Sequence, residues 1–184
     1  MIINKTIKII SYKIQMVKRI KNKYNHYKST RRKLEKFNSD YGLDLHYYDR
    51  IIDLDDTSYR RSLFLLIDFC RLPFYNCEKL IVPSKVMNLK YLKPSMNKLR
   101  ILDISECDIQ KLELDSDYFS TLEIIFLNDN KINTYDDLLC LKTFKNLEKI
   151  YVYNNPISKN KNEINKLSHE LPNIEIIYEV IENK

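Results

Sequence analysis

The chain has 184 residues, 44% hydrophobic and 30% charged, a balance that suits one globular domain with a continuous core and not a disordered chain. It contains a single glycine, Gly42, and no tryptophan; phosphate-cradling loops need several positions that only glycine occupies comfortably, so neither a P-loop nor a dinucleotide fingerprint can be written. Net charge is +6 but unevenly held: residues 1–36 carry twelve Lys/Arg against the single acid Glu35, a local +11, which leaves −5 for residues 37–184.

The basic segment opens with Ile3, Ile7, Ile10, Ile14, Val17 and Tyr24, recurring at alternating intervals of four and three apart from Lys21 in one slot. That is a helix stripe. Lys18, Arg19, Lys21, Lys23, Lys28, Arg31, Arg32 and Lys33 follow, with Tyr24, His26 and Tyr27 between them. Such cations can neutralise phosphates while the rings stack on unpaired bases, so this is the candidate nucleic-acid-binding stretch. The plainer reading is a solvated Lys-rich helix face from an AT-biased coding sequence. The segment imitates a mitochondrial transit peptide in being basic and acid-poor, but it is rich in Lys and Ile rather than Arg and Ser.

A second helix is expected from Asp55-Asp56-Thr57, whose acids can cap its amides. It would carry Tyr59, Leu63, Leu66, Ile67 and Cys70, stop at Pro73, and cover the open edge of the first repeat. The longest apolar stretch, Ser62–Leu72, is interrupted by Asp68 and Arg71 and is too short to cross a membrane. Residues 1–76 are therefore read as a basic helical N-terminal segment and cap, and residues 77–184 as the leucine-rich-repeat domain with its C-terminal cap.

Self-similarity is the strongest signal from there on. One copy of L-x-x-L-x-L-x-x-(N/C)-x-L runs Leu99, Leu102, Ile104, Cys107, Ile109; the next runs Leu122, Ile125, Leu127, Asn130, Ile132; a third runs Leu147, Ile150, Val152, Asn155, Ile157. All five positions are filled at offsets of 23 and 25 residues. Cys77, Leu80, Val82 and Met87 give a weaker copy upstream, with Lys85 in the Asn/Cys slot, and Ile174 and Ile177 begin a downstream copy that stops. Positions four and six of each copy should point inward from a short strand, and the Asn or Cys side chain should bond backbone groups where the chain turns. Leu138, Leu141 and Phe144 within 136–144 suggest a helical return leg. The expected fold is α/β: a leucine-rich-repeat solenoid of four to five repeats with a parallel sheet on its concave face, preceded by helices.

Residues 122–177 resemble the ends of intracellular leucine-rich-repeat proteins of the protein-phosphatase-1 regulator type, and are similar to the spliceosomal U2 A-prime and axonemal dynein light chain 1 families. Those families close with N-P-(I/L), a helix and L-P-x-(L/I); here Asn155-Pro156-Ile157 precedes an expected helix around Glu163–Leu171 and then Leu171-Pro172-Asn173-Ile174. The family cap usually shows Tyr-Arg in the helix and Leu-Asp at its end, where this chain has Asn165-Lys166 and Ile177-Tyr178. The shape of Asn155–Ile177 also resembles, more weakly, the leucine-rich-repeat end of the Rab geranylgeranyltransferase alpha subunit. That resemblance would imply an accessory part of a prenyltransferase-like complex, since no counterpart of the catalytic helices is present. What these resemblances imply is an intracellular adaptor, cytoplasmic or nuclear, that binds a protein; a ribosome- or spliceosome-like ribonucleoprotein is the second reading.

Nothing points to catalysis or to a cofactor. Cys70, Cys77, Cys107 and Cys140 and the three histidines lack metal-ligand spacing, and the thiols read as reduced. Acid pairs such as Asp115/Asp117 and Asp136/Asp137 fit helix and turn caps. The binding surface is read from strand alternation. The row between the inward positions is Ile81, Asp103, Phe126, Tyr151 and Tyr178; the row before it is Lys79, Ile101, Ile124, Lys149 and Ile176; the row after it adds Asn128 and Tyr153. Ile101, Ile124, Phe126, Tyr151, Tyr153 and Tyr178 form the candidate protein-binding patch, covered by a partner or by the chain's own Ile3–Val17 stripe.

Overall fold

The computed structural model describes residues 31–40, 50–54, 77–82 and 98–179, with positions 15, 18, 19, 21, 29, 45 and 92. The Ile3–Val17 stripe, the expected helix after Asp55 and the Lys85/Met87 positions lie outside the described residues, apart from Gln15 within the first.

Each copy of the sequence pattern forms one short strand. β1 (Ile51–Asp53), β2 (Lys79–Ile81), β3 (Ile101–Asp103), β4 (Ile124–Phe126), β5 (Lys149–Tyr151) and β6 (Glu175–Ile177) lie in sequence order in one parallel sheet. The fold is α/β. Register is in phase across the repeated pattern: Leu102 lies opposite Ile125, and Ile125 opposite Ile150. The reason is side-chain alternation, which sends Ile52, Leu80, Leu102, Ile125 and Ile150 into a core they fill almost without exposure. The second inward row, Leu54, Val82, Ile104, Leu127 and Val152, is buried behind it.

The sheet has one strand more at its upstream end than the sequence pattern predicts. Ile52 and Leu54 supply the two inward positions of β1, but Asp49, Thr57 and Tyr59 stand in the other template slots, so the copy is invisible to a five-position match.

A second difference concerns β6. The partial copy predicts Ile177 inward and Tyr178 on the open face. Instead Ile150 pairs with Ile176 and Tyr151 with Ile177, while Ile174, Ile176 and Tyr178 pack against the core. Ile177 thus takes the place expected for Tyr178, and Glu175 the place expected for Ile176. The cause is a slip of one residue, which in a period-two strand exchanges the faces of every side chain.

The turns after β3, β4 and β5 repeat as well. Glu106, Asp129 and Asn154, each just before the Asn/Cys position, adopt left-handed φ values of 55°, 56° and 56°. Asp129 and Asn154 have the short polar side chains that tolerate that region better than most, and Glu106 adopts it without that help. Asn154 Nδ2 steadies the row by donating to Asp129 Oδ1 at 3.0 Å.

The return leg between β4 and β5 is a 3₁₀ helix, Tyr135–Thr143, rather than an α-helix. Apolar residues one 3₁₀ turn apart (Leu138, Leu141 and, just beyond, Phe144) fall on one side of a three-residue spiral, and all are buried. Asp137 anchors its start by accepting from the Asn133 and Thr134 backbone amides at 3.1 and 2.9 Å. The last helix, Lys161–Glu170, begins at Asn160, whose side chain accepts from the Asn162 and Glu163 amides, and it buries Ile164 and Leu167. It ends ahead of Leu171-Pro172, as the proline requires.

At the other end, residues 31–40 are helical. Leu34 and Phe37, one turn apart, belong to the same core cluster as Ile52 and Leu54. Asn38 fixes the position of Leu45, donating to its carbonyl and accepting from its amide. Among the described residues no helix is long and apolar enough to cross a membrane.

Candidate functional site

Alternation puts the remaining strand side chains on the opposite face of the sheet, where they are half-buried or exposed. Its first row reads Ile51, Lys79, Ile101, Ile124, Lys149 and Glu175, and its second Asp53, Ile81, Asp103, Phe126, Tyr151 and Ile177. Backbone hydrogen bonds continue the ladder past the strands: Glu106 N–H donates to the Asn128 carbonyl and Asp129 N–H to the Tyr153 carbonyl. A third row of Ser105, Asn128 and Tyr153 therefore lies beyond them on the same face.

The centre of this face is aromatic and aliphatic. Phe126 and Tyr151 stack with centroids 4.5 Å apart and planes 15° apart. The Lys79 ammonium lies 5.8 Å from the Phe126 centroid, within reach of its negative π-face. Lys149 is held by Glu175 at 2.7 Å. Ile101, Ile124, Phe126, Tyr151 and Tyr153 are thus brought together, each half-buried. Tyr178 is not among them. Lys79 and Ile177 join instead; the alternation of Ile174, Ile176 and Tyr178 carried the signal for Ile177.

Behind the face, the turns are locked by buried amides. Asn130 Oδ1 accepts from the Cys107 and Ile109 amides at 3.0 and 2.9 Å, and its Nδ2 donates to the Ile104, Leu127 and Asn128 carbonyls. Asn155 accepts from the Ile132 amide at 3.1 Å and donates to the Leu127, Val152 and Tyr153 carbonyls. Cys107, in the matching position, directs its Sγ at the Ser105 carbonyl, 3.3 Å away.

One edge of the face carries alternating charge. Arg50 meets Glu78 at 2.7 Å and Arg100 meets Glu123 at 2.5 Å. The guanidinium hydrogen bonds hold both glutamates below the usual carboxylate range. A carboxylate whose folded pKa is depressed adds stability above its unfolded pKa and loses it as pH falls through the folded one. The expected result is that Glu78→Gln plus Glu123→Gln leaves a protein whose urea midpoint falls less than that of the natural chain between neutral pH and about pH 3. Identical acid limbs for the two proteins would contradict it.

Among the described residues the thiols are wholly or partly shielded from solvent. Cys77 and Cys107 are buried, and burial pushes the half-buried Cys140 thiol up. Among the described residues no group of three or more His, Cys, Asp or Glu is placed to hold a metal. Asp115 and Asp137 cap 3₁₀ segments.

In the basic segment, Lys18, Arg19, Lys21, Arg31, Arg32 and Lys33 are exposed on helical residues. Arg31 pairs with Glu35 at 2.8 Å and Lys36 with Asp40 at 2.6 Å. Lys23, Lys28, Tyr24, His26 and Tyr27 lie outside the described residues. No protein-family model matches the chain, and no curated protein matches it in sequence.

Proposed function

We propose that the chain is a non-enzymatic leucine-rich-repeat protein of the intracellular type, a short solenoid that acts as an adaptor or complex subunit by holding a protein partner on its sheet face. One observation carries this reading: the stacked Phe126–Tyr151 pair stands half-buried on the outward face of a parallel sheet, with Ile101 and Ile124 beside it. Aromatic side chains framed by aliphatic ones are where interface energy concentrates, because a partner can desolvate them fully. The in-phase strands and the amide-locked turns support the repeat reading, and the resemblance to protein-phosphatase-1 regulators and their relatives is kept as part of it. The test is capture of partners from cell extract with and without ribonuclease, compared between the natural chain and the Phe126→Ala/Tyr151→Ala protein. Capture that survives nuclease and fails with the double variant supports the adaptor reading.

A second reading is favoured by the helical stretch 31–40, which Leu34 and Phe37 tie to the core while Arg32 and Lys33 remain exposed. A cationic ridge fixed to the domain suits RNA phosphates in a ribonucleoprotein. Replacing Arg31, Arg32 and Lys33 with Gln should then flatten the log–log salt dependence of binding to a single-stranded RNA. The expected loss is about 0.7 unit for each phosphate contact removed. Arg31 contributes least, because Glu35 already neutralises it. An unchanged slope returns the ridge to a solvated helix face.

A further inference from the structure

Three asparagines are buried in the described residues, and they differ in one respect. Asn130 and Asn155 spend both ends of their amides on backbone groups. Asn128 is only 3% exposed, yet its Oδ1 has no hydrogen-bond partner. A buried acceptor left unpaired is a cost that native proteins seldom carry without a use.

The fold does not demand an amide there. In the same row, the neighbouring strands place Ser105 and Tyr153. Asn128 belongs to the third row of the sheet face, two residues beyond Phe126 and alongside Tyr153, and is almost fully buried there. Its position is thus set by the face and not by the turn.

We propose that Asn128 is the specificity-determining residue of the sheet face, reading the main chain of an extended peptide segment of a protein partner. The proposal rests on the reading of that face as a protein-binding surface. A carboxamide offers one acceptor and one N–H₂ donor side by side, the complement of a peptide group's N–H and C=O. A helix cannot supply that pair from its middle, since its own ladder uses both groups; an extended segment can. Asn128 is almost fully buried in the free protein, so this reading requires side chains beside it on the face to move when the segment binds.

An amide beside aromatic rings also fits a nucleobase, but two observations favour the peptide. Phe126 and Tyr151 are stacked on each other and Lys79 lies over the Phe126 ring, so the faces they share cannot also take a base. Residues 37–184 carry a net −5, which opposes a polyanion.

The experiment uses the full chain and a phage-displayed library of random linear twelve-residue peptides, with binding of a selected synthetic peptide followed by fluorescence polarisation. Asn128→Ala should weaken that peptide about ten- to hundredfold, while the protein's urea midpoint stays level or rises because an unpaired acceptor has gone. N-methylation of one peptide bond should cause the same loss, and the two changes together should add little. A peptide that needs Phe126 and Tyr151 but ignores Asn128→Ala and every N-methylation overturns the Asn128 assignment and keeps the sheet-face reading. A peptide indifferent to all three residues sinks both. Recovery of no binding peptide, an Asn128→Ala protein destabilised as Asn130→Ala is, or Asn128-dependent binding of a fluorescein-labelled single-stranded RNA instead would also overturn the proposal.

Discussion

The Asn130→Ala protein is expected to unfold about 3–5 kcal/mol more easily than the natural chain, which the urea midpoint at constant m-value will report. Asn130 is 5% exposed and spans two successive turns. Its Oδ1 is the partner of two buried amides, Cys107 and Ile109, and its Nδ2 reaches carbonyls on both the β3 and β4 sides. Alanine leaves those two N–H groups in the interior without an acceptor, at about 1–3 kcal/mol each, and loosens three carbonyls besides. Water entering the vacated volume recovers part of that, which sets the upper bound. Asn155→Ala should cost less, about 2–3 kcal/mol, because it strands one amide, that of Ile132, and not two. Cys107→Ala, which removes a thiol that directs a weak hydrogen bond at the Ser105 carbonyl and not a carboxamide, should cost less again. If Asn130→Ala were no more harmful than Cys107→Ala, the buried amides would not be what fixes the turns.

The same buried amides account for how much is legible in the sequence. The Asn/Cys slot is readable because a buried turn with unpaired amides has few side chains that can serve it, and the slot recurs at fixed distance from two inward apolar residues. The strands are readable for the same reason: Leu102, Ile125 and Ile150 are interchangeable apolar side chains in one row of the core. β1 escapes because only two of its template positions hold the residue types the pattern asks for, and two apolar residues one apart occur throughout an Ile-rich chain. β6 is visible but out of phase, since Ile174, Ile176 and Ile177 offer both faces an apolar residue and only pairing with Ile150 decides. The 3₁₀ leg reads as a helix of ordinary pitch because three-residue spacing fits either. Composition does not locate the unpaired acceptor of Asn128, because sequence alone shows an asparagine's type and never whether its hydrogen bonds are met.

Phe126→Ala with Tyr151→Ala should cost the protein its partner while leaving its fold. Both rings lie half-buried on the open face, so truncation removes their contacts with each other and with Lys79 and opens no cavity in the core. A stacked aromatic pair contributes about 0.5–1.5 kcal/mol, and the urea midpoint should move by no more than that implies. Affinity should fall far more, by about 2–4 kcal/mol, roughly thirty- to a thousandfold, because interface anchors act by burying their whole surface against a partner. That loss requires a surface free to be buried. Residues 3–17 carry the apolar stripe that could cover it from within, and deleting residues 1–30 separates the cases. An internal cover would leave a truncated protein that is less stable and self-associates through the uncovered rings, whereas a partner site would leave a monomer of unchanged midpoint that captures as before. With the rings truncated as well, the self-association expected of an uncovered face should vanish. A double variant that retains both its stability and its partner capture would show that the aromatic face is not the binding surface, since no side chain there would then be contributing to either.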